Sequence, residues 1–132
     1  MPLDHIRTVP VLRCFDEAKA REFYVGFLGF TLDWEHRYES GMPLYMQVSR
    51  AGIVLHLSEH HGDATPGSQV RIEIRGLREF HAELTAKRYK NNRPGIERQE
   101  YGAWEVCVID PCGNRLTFCE YDEDRVAGDS RS

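Results

Sequence analysis

Four aromatic side chains, Trp34, Tyr45, Tyr101 and Trp104, are interleaved along the chain with the charged residues Asp33, Arg71 and Glu73. Flat rings of this kind can stack a heteroaromatic ligand, and carboxylates beside them can pair with ligand cations. The same rings can equally pack a core or a subunit contact, and Asp33, Glu35 and Glu73 can lie on a solvated edge; Glu73 could also pair with Arg71. A second group, His56, Glu59, His60, His61 and Asp63, collects donor types that divalent metals take. That stretch reads as a loop, which can present imidazoles and carboxylates to solvent with nothing bound. No Ser-His-Asp or Cys-His arrangement stands out, and Gly-x-Ser-x-Gly and phosphate-loop patterns are absent. The residues in view suit recognition better than bond making.

Positioning such residues requires elements, and the chain spells the same order twice. Thr8–Cys14 reads as a strand near an edge because of Pro10. Asp16 is a good N-cap, and Ala20, Phe23, Tyr24, Phe27 and Leu28 follow at helical spacing, with Gly29 as the stop. Strands are expected from Phe30, over Leu44–Val48 and over Ile53–Ser58. Glu59–Gly67 has no apolar period and reads as a linker. A strand over Gln69–Ile74 and a helix through Leu77, Phe80 and Leu84 come next. Three strands follow, over Ile96–Tyr101, Ala103–Ile109 and Asn114–Tyr121. The last two form a hairpin through Asp110-Pro111-Cys112-Gly113-Asn114, whose proline and glycine suit a tight turn. The reading is an α+β chain of two βαβββ modules, 5–58 and 68–121, with linker 59–67 and a frayed tail over 122–132.

Strand alternation divides the side chains into two rows. Leu55, Leu57, Val70, Ile72, Ile74, Leu116 and Phe118 should pack beneath the helices. His56, Ser58, Gln69, Arg71, Glu73 and Thr117 fall on the other face. That face is either a solvated sheet surface or a concave, polar-lined cup.

Composition limits the partners. The chain has 132 residues and a net charge of −4, with 21 acidic against 17 basic residues. That balance disfavours nucleic acid, which needs a basic field, and mildly favours cationic ligands. No apolar run approaches the ~20 residues of a membrane span. The start has no signal-peptide core, so a cytoplasmic location is expected. Cys14, Cys107, Cys112 and Cys119 lack zinc spacing and are expected as free thiols, although Cys107 and Cys119 could sit across the hairpin.

The doubled element order, with Val9-Pro10-Val11-Leu12, Phe23-Tyr24, Leu28-Gly29-Phe30 and Asp110-Pro111-x-Gly113-Asn114, resembles the vicinal oxygen chelate superfamily over roughly residues 5 to 121. This superfamily contains glyoxalase I, extradiol dioxygenases and bleomycin resistance proteins. Asp33 with an aromatic at 34, Arg75-Gly76-Leu77 and Gln99-x-Tyr101-Gly102 make the chain most similar to the bleomycin resistance proteins. The resemblance implies a cup-shaped mixed sheet with helices on its outer face, and a homodimer whose shared clefts sequester a drug without chemistry or cofactor. It places Asp33, Trp34, Tyr101 and Trp104 near those clefts; Tyr45, His56, Arg71, Glu73 and Thr117 complete the candidate ligand-binding set. The superfamily's metal-ligand positions correspond here to Val9, His56, Gln69 and Thr117, of which only His56 is a strong ligand. Arg71 stands where these proteins often carry a large aromatic, and a cation there would oppose a cationic drug. Two alternatives remain. One is a metal-dependent lyase or dioxygenase with an unusual ligand set, and the other is a binding protein for an unrelated small molecule.

Overall fold

The computed structural model describes residues 2–122. The chain runs β1 (Val11–Arg13), α1 (Glu17–Arg21), β2 (Thr31–His36), β3 (Tyr45–Arg50), β4 (Ile53–Ser58), β5 (Gln69–Glu73), α2 (Leu77–Ala86), β6 (Glu97–Gln99), β7 (Ala103–Ile109) and β8 (Arg115–Tyr121). Hydrogen bonding sorts the strands into two four-stranded mixed sheets of the same topology, β1-β4-β3-β2 and β5-β8-β7-β6. In each, the strand before the helix runs parallel to the last strand of its module. The α+β class and the repeated βαβββ order are therefore as expected. Apart from Asp122, the tail expected to fray lies outside the described residues.

Local chemistry explains most of the elements. The Asp16 carboxylate accepts from the Lys19 backbone N–H and caps α1, an arrangement worth about 1 kcal/mol. After Arg21 the helix widens into a π-helical stretch, Glu22–Phe27, closed by Leu28 N–H donating to the Phe23 carbonyl. The wider turn still keeps Phe23, Tyr24 and Phe27 on the buried side, so regular helical spacing does not announce it. Helix α2 has no side-chain cap of its own. Gly76, at φ +81°, turns the chain into it, and Glu120 from β8 accepts from the Leu77 N–H.

Two strands are shorter than the sequence suggests. Only Val11–Arg13 of the Thr8–Cys14 stretch pairs as β1. Pro10 has no N–H to give, although its carbonyl accepts from His56 N–H at 3.0 Å. Only Glu97–Gln99 of the Ile96–Tyr101 stretch is strand, because Gly102 N–H turns back to the Gln99 carbonyl.

One apolar core serves both halves. Leu12, Phe23, Phe27, Met46, Val48, Leu55 and Leu57 from the first half join Leu77, Phe80, Leu84, Val106, Val108, Leu116 and Phe118 from the second. The turn after β7 fastens them together. Pro111, Cys112 and Gly113 form the loop, with Gly113 at φ +80° and its N–H on the Asp110 carbonyl. The buried Asp110 carboxylate accepts from the Cys112 and Asn114 N–H groups, from the Asn114 amide and from the Tyr24 hydroxyl at 2.6 Å. Asn114 donates to the Arg13 carbonyl at 2.8 Å and accepts from Ser68 N–H. Burial, reinforced by Asp110, raises the Tyr24 pKa well above its ordinary value, so Tyr24 stays a donor. A second clamp joins Arg50 to Glu83 at 2.7 Å.

All four cysteines are free thiols. Cys107 faces Thr117 in the ladder and Cys119 faces Glu105, so the two thiols are offset rather than opposite. Burial pushes the Cys14 thiol up to about 12.

Candidate functional site

Alternation along β3 and β4 sends Met46, Val48, Leu55 and Leu57 into the core and leaves Tyr45, Gln47 and His56 on the opposite face. On β2 the register slips between Leu32 and Trp34, so Asp33 occupies a bulge. A bulge re-aims side chains, and here it lets Asp33 and Trp34 both work on that face. The Trp34 ring stacks on Tyr45 at 6.1 Å and 12° and meets the His56 ring edge-on at 5.3 Å. Trp34 is 42% exposed, so ring area remains free. Trp34 and Tyr45 line a cavity of about 470 Å³ with His36, Tyr38, His60 and Asp63.

Beneath these rings runs a chain of hydrogen bonds whose direction can be deduced. The Gln47 amide nitrogen donates to the Asp33 carboxylate at 2.9 Å. Its oxygen is left to accept from His56 Nε2 at 3.0 Å. His56 Nε2 therefore carries the hydrogen, and Nδ1 accepts from the Tyr45 hydroxyl at 2.7 Å. Burial, with a smaller push from Arg7, lowers the His56 pKa, which agrees with a neutral ring. Hydrogen bonds from Gln47 and Ser49 hold the Asp33 carboxyl below its usual range, keeping it an exposed anion. Burial, with Asp63 nearby, raises the Tyr45 pKa.

The second sheet carries a different cluster. Arg71 pairs with Glu105 at 2.7 Å and donates to the Tyr121 hydroxyl at 3.2 Å. Its guanidinium lies 5.5 Å from the Tyr101 ring centroid and 5.7 Å from that of Tyr121. The Tyr101 hydroxyl donates to Glu105, which raises the Tyr101 pKa. Partial burial pulls the Arg71 pKa down, but the bonds to Tyr121 and Glu105 outweigh it and the net move is upward. The partner of Arg71 is thus Glu105, not Glu73, which sits two positions further along β5, opposite Cys119.

The candidate residues therefore fall into two groups and one outlier. Asp33, Trp34, Tyr45 and His56 come together on the first sheet. Arg71, Glu73 and Thr117 share a face of the second, with Tyr101 over Arg71. Trp104 is the outlier. It pairs with Glu120 in the ladder, on the face that carries Val106 and Phe118 toward the core, and Arg78 of α2 lies 4.5 Å from its ring. Glu35 likewise turns to the helix side and pairs with Arg21. Ser58 and Thr117 are buried, Ser58 because the linker folds over it and Asp63 accepts from its hydroxyl at 2.6 Å. Sequence reasoning passed over Gln47, Glu105 and Tyr121. Counting back from the turns at Arg50-Ala51-Gly52 and Asp110–Asn114 would have placed Gln47 opposite His56 and Glu105 opposite Cys119.

The residues present do not fit a divalent metal. Val9 offers no donor, the amide of Gln69 and the hydroxyl of Thr117 are weak ones, and both nitrogens of His56 are engaged. In the His56–Asp63 stretch, Glu59 accepts from Leu44 N–H and Asp63 from Ser58. Among the described residues no group of three or more His, Cys, Asp or Glu side chains is placed to hold an ion.

Comparison with known proteins agrees with this architecture. The bleomycin-binding protein of Streptomyces verticillus, solved with copper(II)-bleomycin, superposes with a TM-score of 0.68 at 26% identity, over 92% of this chain and 100% of its own. The bleomycin resistance determinant of transposon Tn5 gives 0.69 at 20% identity, over 89% and 99%. A member of the glyoxalase/bleomycin resistance protein/dioxygenase superfamily from Sphaerobacter thermophilus gives 0.65 at 21%, over 89% and 98%. No curated protein matches. The family model described as glyoxalase superfamily protein matches residues 3–125. Matched along nearly all its length and folded like these structures, the chain belongs to the glyoxalase superfamily.

Proposed function

We propose that this chain is a non-catalytic binding protein that sequesters a flat, cationic drug of the bleomycin type. The observation that carries this reading is the exposed Trp34 ring, stacked on the half-buried Tyr45, with the ionised Asp33 carboxylate beside it at the bulge. A stacking wall and a nearby anion are what a heteroaromatic, positively charged ligand needs. The cavity of about 470 Å³ against that wall is within the size range of small-molecule sites. The neutral, doubly hydrogen-bonded His56 fixes Tyr45 and Gln47 rather than acting as a poised base. The similarity to a protein solved with copper(II)-bleomycin supports the choice of ligand.

In the second sheet Glu105 compensates the charge of Arg71, so Arg71 opposes a cationic ligand less than its type alone suggests. A homodimer in which a second copy completes each cleft is part of the proposal, as is a cytoplasmic location. Among the described residues no helix is long and apolar enough to cross a membrane.

The test is titration of the purified protein with metal-free and copper-loaded bleomycin by Trp fluorescence and calorimetry, alongside growth of expressing cells on the drug. Saturable binding with protection supports sequestration. Neither effect would sink it and leave a binding site for a different small molecule.

A further inference from the structure

A second cavity lies at the end of β1, around Arg13, which the drug-binding reading does not use. Arg13 is only 9% exposed, yet no carboxylate among the described residues approaches it within 4.0 Å. Its Nη1 donates to the His60 carbonyl, and its guanidinium carbon lies 4.9 Å from the Phe15 ring centroid. Nε is buried with no acceptor, the one such side-chain atom among the described residues. Among the described residues Nη2 has no acceptor either, and it is not among the sealed-off atoms. Arg13 lines a cavity of about 690 Å³ with Phe15, His61, Asp63, Thr65 and Ser68.

A guanidinium withdrawn from water without a counter-charge is costly. Arginines in such positions are ordinarily paired, and the Nε–Nη2 edge of the fork matches two oxygens of one planar or tetrahedral anion. The surrounding side chains leave that role open. Ser68 spends its hydroxyl on the Thr65 carbonyl. Asp63 is the one carboxylate on the cavity wall among the described residues, and the Ser58 hydroxyl holds one of its oxygens. Glu59 is committed to Leu44 N–H.

We infer that the cavity under the linker is a binding site for a small oxyanion, a carboxylate or phosphate group, received by the Nη2–Nε edge of Arg13. Nη2 meets the anion first. Engaging Nε as well requires that buried atom to be uncovered. Asp63 stands between this cavity and the one beneath Trp34 and Tyr45, so the two sites are neighbours with opposite charge preference.

The experiment follows the Arg13 Nε–Hε resonance by heteronuclear NMR while acetate and, separately, inorganic phosphate are added at constant ionic strength. The expected result is a saturable shift with at least one of them at roughly millimolar concentration; which one responds assigns the carboxylate or the phosphate. Asp63→Asn, which removes the competing charge, should tighten that response several-fold. Arg13→Met should abolish the shifts of the neighbouring His61 and Thr65 amides, and Arg13→Lys, which keeps the charge, serves if the Met variant does not fold. No saturable shift with either anion in the wild type, or unchanged affinity in Asp63→Asn, overturns the inference. Neither anion is a stacking ligand, so failure here leaves the drug-binding reading untouched, and failure of that reading leaves this one standing.

Discussion

The two sheets place different chemistry on equivalent backbone. In the first, the ladder row reads Val11, His56, Gln47, Trp34. In the second, the corresponding row reads Arg71, Thr117, Cys107. The first row is uncharged, and Gln47 ties it to the Asp33 carboxylate at the adjoining bulge. The second is ionic, with Arg71 bound to Glu105 and flanked by two tyrosine rings. A repeated fold thus fixes where side chains emerge and leaves their function free. The first row's exposed Trp34 has the rings of Tyr45 and the neutral His56 around it, while Tyr101 of the second, equally exposed, lies over its own cation.

The most severe way to break this comparison is to uncouple the halves. Asn114→Ala removes the bonds to the Arg13 carbonyl, to Asp110 and from Ser68. It should cost about 3 kcal/mol, since buried partners are left unsatisfied. Urea denaturation followed by Trp fluorescence reads this; a loss well under 1 kcal/mol would mean the turn is not what joins the two regions.

Next in size is the contrast between the two tryptophans. Trp34→Ala removes a stacking surface worth about 0.5–1.5 kcal/mol beyond area burial, so bleomycin affinity by calorimetry should drop several-fold or more. Trp104→Ala, with its ring under Arg78, should leave affinity unchanged. Equal losses in both variants would erase the distinction between the faces.

A smaller effect is expected from pH. The folded-state pKa of His56 lies below the ordinary 6.5, so the unfolded chain takes the proton first. Stability from this group is therefore complete above that value and declines as pH falls through the window beneath it. Comparing urea midpoints at about pH 5 and about pH 7.5 for wild type and His56→Gln should show a flatter dependence in the variant. An identical slope would place the titration elsewhere.

The smallest change is expected for the stability of Arg71→Ala. Its side chain is 36% exposed, and screened pairs of this kind contribute about 0–1 kcal/mol. Thermal unfolding should move little, while affinity for a cationic ligand should hold or rise.

Much of the architecture was legible because it rests on periodicity. Alternation put Leu55, Leu57, Leu116 and Phe118 inside, and Asp16 and Gly113 announced a cap and a turn. What periodicity does not encode was missed. The π-helical stretch after Arg21 keeps the same apolar residues inward, so its sequence looks like ordinary helix. Trp104 shares the ladder parity of the core-facing Val106 and Val108, which its aromatic type alone does not reveal. The meeting of Asp33, Trp34, Tyr45 and His56 and the relay through Gln47 depend on cross-strand register, which a list of residue types does not contain.

The turn at Asp110–Asn114 also bears on the order of assembly. Its bonds reach back 101 residues to Arg13 and 86 residues to Tyr24. Contacts so distant along the chain carry a large loop-closure cost and arrive late in folding. During synthesis the first sheet can pair its strands early, yet Tyr24 and the Arg13 carbonyl wait for partners near the far end. A nascent chain halted in the linker would hold a buried tyrosine hydroxyl without its acceptor, so the emerging first half should stay loosely packed until the last hairpin leaves the ribosome.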